Sequence, residues 1–148
     1  MILGPWDEAA LTTWGRELGA RVSGPAWIGL RGPLGAGKSV LARALAEGIG
    51  VRATMPSPTF NLLFRYAAPQ GRSLVHMDLY RLAAPEELDE LGWDELPDGD
   101  EMVLVEWPER AGARWPAEQA TEIELALVPG APEQRLVTLR GRALVGDA

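Results

Sequence analysis

The chain has 148 residues, of which 47% are hydrophobic and 24% are charged, and its formal net charge is −7. This composition excludes wholesale disorder, and the length predicts a single domain over residues 1–148. The acidic balance argues against a large direct contact with a nucleic-acid backbone. Because the chain has no cysteine and only one histidine, His76, the sequence excludes disulfides, thiolate metal sites and multi-histidine zinc sites.

The sequence also lacks the usual export and membrane signals. Residues 1–7 contain neither a basic segment nor a long apolar core, so they do not have the pattern of a secretion signal. No apolar run approaches the ~20 residues that span a bilayer. We therefore expect a soluble, cytoplasmic protein.

The first predicted elements are a helix and a short buried strand. Asp7 has a side chain suited to a helix N-cap, and apolar residues follow it at near-helical spacing. These residues are Leu11, Trp14, Leu18 and Val22. Gly24 and Pro25 end the helix, and residues 26–30 form an apolar run that is typical of a buried strand.

A glycine-rich loop follows this strand directly. Residues 32–39 are Gly-Pro-Leu-Gly-Ala-Gly-Lys-Ser and fit the pattern G-x-x-x-x-G-K-[ST], which cradles nucleotide phosphates. After Lys38 the apolar positions predict a helix that is closed by Gly48 and Gly50. Strand, loop and helix in this order are the context that a phosphate-binding loop requires.

The residue types in this loop match the chemistry of phosphate binding. Backbone N–H groups and the N-terminus of the following helix attract phosphate oxygens, and glycine lets the backbone approach them closely. Lys38 is the only lysine among 14 Lys and Arg residues, and its slim ammonium can reach phosphates where a planar guanidinium cannot. The Ser39 hydroxyl is a suitable ligand for Mg²⁺. The predicted phosphate-binding residues are Gly32, Gly35, Ala36, Gly37, Lys38, Ser39 and Val40.

The remainder of the chain predicts a mixed sheet. Strands are expected over residues 59–66, 73–79, 102–105, 121–128 and 136–139, and a helix over 85–91 precedes an acidic loop over 94–101. A short turn separates the first two strands, which indicates an antiparallel hairpin because a parallel return needs about a dozen residues. Residues 129–132 are expected to turn before the last strand. The predicted fold class is α/β, a P-loop NTPase-like three-layer fold with a mixed parallel and antiparallel central sheet flanked by helices.

Two acidic residues at predicted strand ends are candidates for chemistry. Glu106 follows an apolar run, where a carboxylate needs a cation or hydrogen-bond donors, and phosphate-loop proteins place the acid that orients the metal there. In the segment His-Met-Asp-Leu-Tyr-Arg, alternation places His76, Asp78 and Tyr80 on one face. Asp78 is predicted to hold magnesium or to orient the attacking water. His76 is interpreted as a hydrogen-bonded structural residue.

Two further segments are weaker candidates. Trp107 is interpreted either as a core residue or as a contact to the nucleotide. Residues 57–60, Ser-Pro-Thr-Phe, either cap a strand or form a switch segment of the kind that senses a γ-phosphate. A guanine-reading Asn-Lys-x-Asp segment needs a lysine, and Lys38 is already used, so adenine is the expected base.

Four motifs occur in order along the chain, and together they resemble one family. They are residues 32–39, 57–60, 76–81 and 105–109, the last of which is Val-Glu-Trp-Pro-Glu. Over nearly its whole length the chain is similar to the TsaE family (formerly YjeE), small bacterial ATPases of the tRNA threonylcarbamoyladenosine (t6A) pathway. The resemblance implies binding of ATP and Mg²⁺, slow ATP hydrolysis, and work in complex with the TsaD and TsaB proteins. Those partners carry the transfer of threonylcarbamoyl to adenosine 37 of tRNAs that read codons beginning with adenine, so contact with tRNA would be indirect.

The resemblance also implies roles for individual residues. Lys38 would contact phosphates, and Ser39 and Glu106 would hold the metal. Asp78 would support hydrolysis at the same metal site. Thr59 would lie in a switch-like segment, and Trp107 would lie near the nucleotide.

Three positions depart from the family pattern. The family usually has Asp in place of Pro33 and Thr in place of Ser39, and its first-helix threonine, which is linked with the adenine side, corresponds to Leu11 here. Serine keeps the hydroxyl, so we expect metal binding to survive. The loop donors nearest the phosphates come after Pro33, so we expect that substitution to cost little.

Two alternatives stay open on sequence alone. A small-molecule kinase would share the loop, but such enzymes need a mobile lid that bears arginines, and no arginine lies between Arg81 and Arg110. A nucleotide-dependent conformational switch with negligible turnover is the second alternative. The sequence does not separate such a switch from a slow ATPase.

Overall fold

The structure is a computed structural model that describes residues 1–53 and 62–144. Its strands are β1 (Ile2–Trp6), β2 (Ala26–Arg31), β3 (Leu63–Ala67), β4 (Ser73–Asp78), β5 (Glu101–Glu106), β6 (Ala120–Val128) and β7 (Ala131–Gly141). Its α-helices are α1 (Glu8–Arg21), α2 (Lys38–Ile49) and the single turn α3 (Glu87–Glu90). Shorter 3-10 segments cover Pro69–Gly71, Trp93–Glu95 and Pro108–Arg114.

The strands form one mixed sheet in the order β1-β7-β6-β2-β5-β4-β3. The central strand β2 pairs parallel with β5 and β6, and β4 pairs parallel with β5. The outer pairs β1–β7, β6–β7 and β3–β4 are antiparallel, which confirms the predicted mixed sheet and the predicted hairpin. The carboxyl ends of β2, β4 and β5 meet at one edge, because Leu30 and Asp78 both pair with Glu106.

The two faces of the sheet are covered by unequal layers. Helices α1 and α2 pack on one face and bury most of the aliphatic core. The opposite face is covered by α3 and the 3-10 segments Trp93–Glu95 and Pro108–Arg114, and Leu88 and Trp93 are buried there. Trp93 and Trp115 pack against Trp27 of β2, with ring centroids 4.8 and 5.8 Å apart. Large aromatic rings thus supply on this face the buried area that a second pair of long helices would otherwise supply.

The contact between α1 and α2 depends on glycine. A Cβ atom on Gly48 would lie 2.2 Å from the carbonyl oxygen of Arg16, so the helix backbones touch at that point. The prediction that Gly48 helps to close the second helix was therefore wrong, because Gly48 lies inside α2 as a packing residue. Gly50 does close the helix, in the left-handed conformation with φ of 108°.

Several element boundaries differ from the predicted ones. β1 was not predicted; Ile2 and Leu3 pair with Thr138 and Val137, so β7 joins the N-terminus to the sheet. β7 starts at residue 131 instead of 136, so Pro132, which was expected in the turn, lies in the strand. The helix expected over 85–91 is only the four residues of α3. The predicted cap of the first helix is confirmed, since Asp7 accepts a 2.8 Å bond from the Ala10 N–H.

One residue of the predicted acidic loop is buried. Glu101 begins β5 and is 0% exposed, so its placement in a loop was wrong. It accepts hydrogen bonds from Arg65 Nε at 2.9 Å, from Ser73 Oγ at 2.5 Å and from the Asp98 N–H at 3.1 Å. Burial alone would raise the pKa of Glu101, but these donors outweigh it and hold the pKa below its ordinary value.

Two remaining expectations concern the segment around Thr59 and the absence of a membrane span. Thr59 and its neighbours in segment 57–60 lie outside the described residues, as does the start of the strand expected over 59–66. Within the described ranges, no helix has both the length and the apolar character needed to cross a membrane.

Candidate active site

The glycine loop connects β2 to α2 in the way that the motif predicts. The chain leaves the sheet after Arg31 and enters α2 at Lys38. Gly35 and Gly37 have φ of 82° and 104°, in the left-handed region that favours glycine, and a Cβ at Gly35 would meet no atom within 4 Å. Glycine is thus required at position 35 for its backbone conformation and not for lack of space. No side chain caps the N-terminus of α2, so its first N–H groups face the loop.

Lys38 is held at the mouth of this loop. Its ammonium donates to the carbonyl oxygens of Gly32 at 2.6 Å and Pro33 at 2.9 Å, and it lies 4.1 Å from the ring centre of Trp107. The side chain is buried, and burial lowers the pKa of Lys38 although the nearby carboxylate of Glu106 opposes this shift. The cation is therefore positioned by backbone oxygens and an aromatic face before any anion binds.

Glu106 is buried at the carboxyl end of β5 with both oxygens engaged. Its Oε1 accepts from the Ser39 hydroxyl at 3.1 Å, and its Oε2 lies 2.7 Å from His76 Nε2. Ser39 is the second residue of α2, whereas His76 is on β4, so the carboxylate joins a helix to a neighbouring strand. His76 is buried and has the structural hydrogen bond that its interpretation required. Its other nitrogen, Nδ1, has no hydrogen-bond partner among the described residues.

Asp78 lies beside Glu106 at the end of β4. Its Oδ1 accepts a 2.9 Å hydrogen bond from the backbone N–H of Tyr80, which fixes the carboxylate at the strand end. Burial raises the pKa of Asp78 and the negative charge of Glu106 adds to this, whereas the Tyr80 N–H lowers it. A carboxylate with a raised pKa at a cleft is suited to accepting a hydrogen bond or a proton from water.

Two aromatic rings form one wall of the site. Trp107 follows Glu106 with φ of 61° and ψ of 51°, an uncommon conformation for a residue with a bulky side chain. Its ring lies 5.0 Å from that of Tyr80, and the guanidinium of Arg110 lies 5.6 Å from the Tyr80 ring. The indole lies over Lys38 and lines the cleft, and Trp107 also packs, partly buried, against the core on the Trp27 face of the sheet.

Most of the predicted site residues line one cleft of about 340 Å³. It is lined by Leu34, Gly35, Gly37, Lys38, Ser39, Val40, Asp78, Tyr80, Glu106 and Trp107. Of the other predicted loop residues, Gly32 contributes the carbonyl that holds Lys38, and Ala36 lies at the adjoining cleft described next. Thr59 lies outside the described residues, so its predicted role stays a prediction.

A second cleft, of about 500 Å³, adjoins the other side of the loop. Leu11 of α1 and Ala36 of the loop form part of its lining, together with Glu8 and two residues of the β6–β7 region, Glu133 and Arg135. Sequence reasoning did not select Arg135. No local motif marks it, because its contact with Ala36 joins residues 99 positions apart.

The described residues contain no cluster of three or more His, Cys, Asp or Glu side chains that could hold a metal ion alone. The side-chain oxygens at the cleft that suit Mg²⁺ are the Ser39 hydroxyl and the carboxylates of Glu106 and Asp78. This set fits Mg²⁺ bound to a nucleotide, because Mg²⁺ takes one or two carboxylates and fills its remaining positions with phosphate oxygens and water.

Comparison with known proteins gives the family. Residues 6–136 match the family described as "Threonylcarbamoyl adenosine biosynthesis protein TsaE". The tRNA threonylcarbamoyladenosine biosynthesis protein TsaE of Streptomyces coelicolor is 38% identical over 138 residues, which cover 85% of this chain and 89% of the relative. The Haemophilus influenzae protein of the same name is 43% identical over 81 residues, 55% of this chain, and the match spans about half (51%) of its length. The crystal structure of Bacillus subtilis YdiB superposes with a TM-score of 0.72 at 25% identity, covering 94% of this chain and 83% of that one. The chain therefore belongs to the TsaE family.

Proposed function

We propose that this chain binds ATP with Mg²⁺ in the cleft of about 340 Å³ and hydrolyses it slowly, in support of threonylcarbamoyladenosine synthesis on tRNA. One observation carries the proposal: Glu106 and Asp78, at the ends of the adjacent parallel strands β5 and β4, converge on that cleft with Lys38 and Ser39 from the start of α2. The names of the TsaE relatives supply the pathway. TsaD and TsaB are the proposed partners, and the cytoplasm is the proposed location.

Each residue has a role that its chemistry supports. The loop N–H groups and the Lys38 ammonium would bind the phosphates, since both are donors at the N-terminus of α2. Ser39 Oγ and the Glu106 carboxylate would hold Mg²⁺, which supplies positive charge against the β- and γ-phosphates when bound. His76 keeps the Glu106 carboxylate oriented from behind.

Asp78 is the proposed contact to the attacking water. Its carboxylate is fixed by the Tyr80 N–H and lies in the same cleft as Lys38, so it can accept a hydrogen bond from a water near the last phosphate. Trp107 closes the cleft from the side and keeps the Lys38 ammonium poorly hydrated, which strengthens its attraction to phosphate. The net charge of −7 fits a protein that reaches tRNA through its partners.

The test is reconstitution of threonylcarbamoyl transfer to tRNA with TsaD, TsaB, ATP, threonine and bicarbonate. Repeated turnover should require this chain. The Glu106→Gln variant should fail to support repeated turnover and should lose the ATP hydrolysis measured alongside. Glu118→Gln is the matched control, since Glu118 is exposed and precedes β6 at the opposite end of the sheet. Equal product formation over repeated turnovers without the chain would overturn the pathway assignment. ATP binding without hydrolysis, with partners present, would favour the switch, and phosphorylation of an added small acceptor would favour the kinase.

A further inference from the structure

The side chain of Arg135 connects β7 to the glycine loop. Its Nε donates to the Ala36 carbonyl at 2.9 Å, and its Nη2 lies 3.4 Å from the Gly35 carbonyl. Its Nη1 donates to two carbonyls near its own position, those of Pro132 at 2.8 Å and Gln134 at 2.7 Å. One side of the guanidinium is thus anchored on the β6–β7 hairpin while the other side holds the loop.

The geometry of a peptide unit gives this contact a direction. In a trans peptide the C=O and the following N–H point to opposite sides of one rigid plane. Holding the Ala36 oxygen from the β7 side therefore aims the Gly37 N–H away from β7. The Ala36 N–H is already used in a turn, where it donates to the Pro33 carbonyl at 3.1 Å, so the Gly37 N–H is the donor that this contact orients.

The charge of Arg135 also changes the strength of that donor. A cation bonded to a carbonyl oxygen polarises the whole peptide unit, and the N–H of the same unit becomes a better donor. The neighbouring φ of 104° at Gly37 is a conformation that the loop must hold for its N–H groups to converge. Arg135 is hydrogen-bonded to the carbonyl of the Ala36–Gly37 peptide, which lies next to that bend.

We propose that Arg135 is a positioning residue for phosphate binding, which acts through the loop carbonyls and orients the Gly37 N–H toward the phosphates. The inference rests on the proposed function, since it assigns a supporting residue to the same nucleotide site. It requires a planar fork with donors on two edges, one for the hairpin and one for the loop. A lysine at this position can supply the charge but not both sets of contacts.

The experiment measures binding of three probes by calorimetry: ATP with Mg²⁺, inorganic tripolyphosphate, and adenosine. Arg135→Gln should weaken ATP and tripolyphosphate by about tenfold, the order of one lost charge-assisted hydrogen bond, and leave adenosine unchanged. The affinity of Arg135→Lys for ATP and tripolyphosphate should lie between that of the wild type and that of Arg135→Gln. Arg140→Gln is the matched control, because Arg140 is on the same strand and pairs at the surface with Glu124 at 3.2 Å.

Each result decides the proposal. Selective loss of the phosphate probes, with an unchanged melting temperature, supports positioning. Equal loss of all three probes with a lower melting temperature shows a purely structural residue and overturns it, as does wild-type affinity of Arg135→Gln for tripolyphosphate. If Arg135→Lys binds the phosphate probes as tightly as the wild type, the requirement for donors on two edges of a planar group is wrong. Failure of the wild-type protein to bind ATP would overturn the proposed function itself. That result does not involve any variant, so it can be told apart from failure of the Arg135 proposal.

Discussion

Replacing Lys38 with methionine removes the ammonium but keeps a side chain of similar length. In the structure the ammonium has two carbonyl acceptors, on Gly32 and Pro33, and one aromatic neighbour, Trp107. Pro33 is exposed and Gly32 is partly exposed, so water can replace the lost donor at both carbonyls. Methionine also removes a charge that burial disfavours. We therefore expect the free energy of unfolding to change by less than about 1 kcal/mol.

The effect on ATP binding should be much larger. Lys38 is the only lysine of the chain, so no other lysine can replace its ammonium. A hydrogen bond to a charged group contributes about 1.5–3 kcal/mol. That range corresponds to a Kd for ATP that is about 10- to 150-fold higher in Lys38→Met. AMP has no β- or γ-phosphate, so its Kd should stay the same.

Titration calorimetry with ATP and AMP, combined with a urea unfolding curve, measures these quantities on one preparation. A folded Lys38→Met protein that binds ATP as tightly as wild type would refute the assignment of Lys38 to the phosphates. An equal loss of ATP and AMP would also contradict it, because the ammonium would then act on the loop as a whole and not on the outer phosphates.

Two further predictions concern stability. Because the folded pKa of Glu101 is below its ordinary value near 4.5, its contribution to stability is present above that pH and is lost as the pH falls through the folded pKa. Glu101→Gln should flatten this part of the acid unfolding profile, and an unaltered profile would contradict the pairing of the buried Glu101 carboxylate with Arg65. Gly48→Ala forces a Cβ against the Arg16 carbonyl and should lower the free energy of unfolding by about 1–3 kcal/mol with no change in the Kd for ATP, since Gly48 lies at the far end of α2 from the loop. A thermal melt that matches or exceeds wild type would show that the helices separate at no cost.

The parts of the fold that depend on local patterns could be predicted from the sequence. The loop, its strand and its helix were predicted because glycine spacing and apolar periodicity act over a few residues. Glu106 was selected because it ends an apolar run, and Asp78 because alternation placed it with His76 and Tyr80 on one face of a strand. The convergence of these groups then required only that parallel strands end at the same edge.

The parts that depend on distant partners could not be predicted. β1 contains Gly4 and Pro5, which weaken any strand pattern, and it forms because β7 offers it a partner about 130 residues later. Glu101 has the charge of a loop residue, and its burial depends on Arg65, which is 36 positions away. Arg135 belongs to the same class, since nothing near it in the sequence marks its contact with the loop.

The register of the three parallel strands has a consequence for how this site can vary. Leu30, Glu106 and Asp78 lie in one row across β2, β5 and β4, so the width of the cleft floor is set by strand spacing, about 4.8 Å per step. The hydrogen bonds between the strands fix that spacing, so it does not vary with the side chains. A shift of register would leave the spacing unchanged, and a shift of one residue would turn every side chain of a strand to the opposite face. Substitutions can therefore add or remove chemical groups one at a time on a floor of constant dimensions, and variants with different reactivity should still accept ligands of the same size.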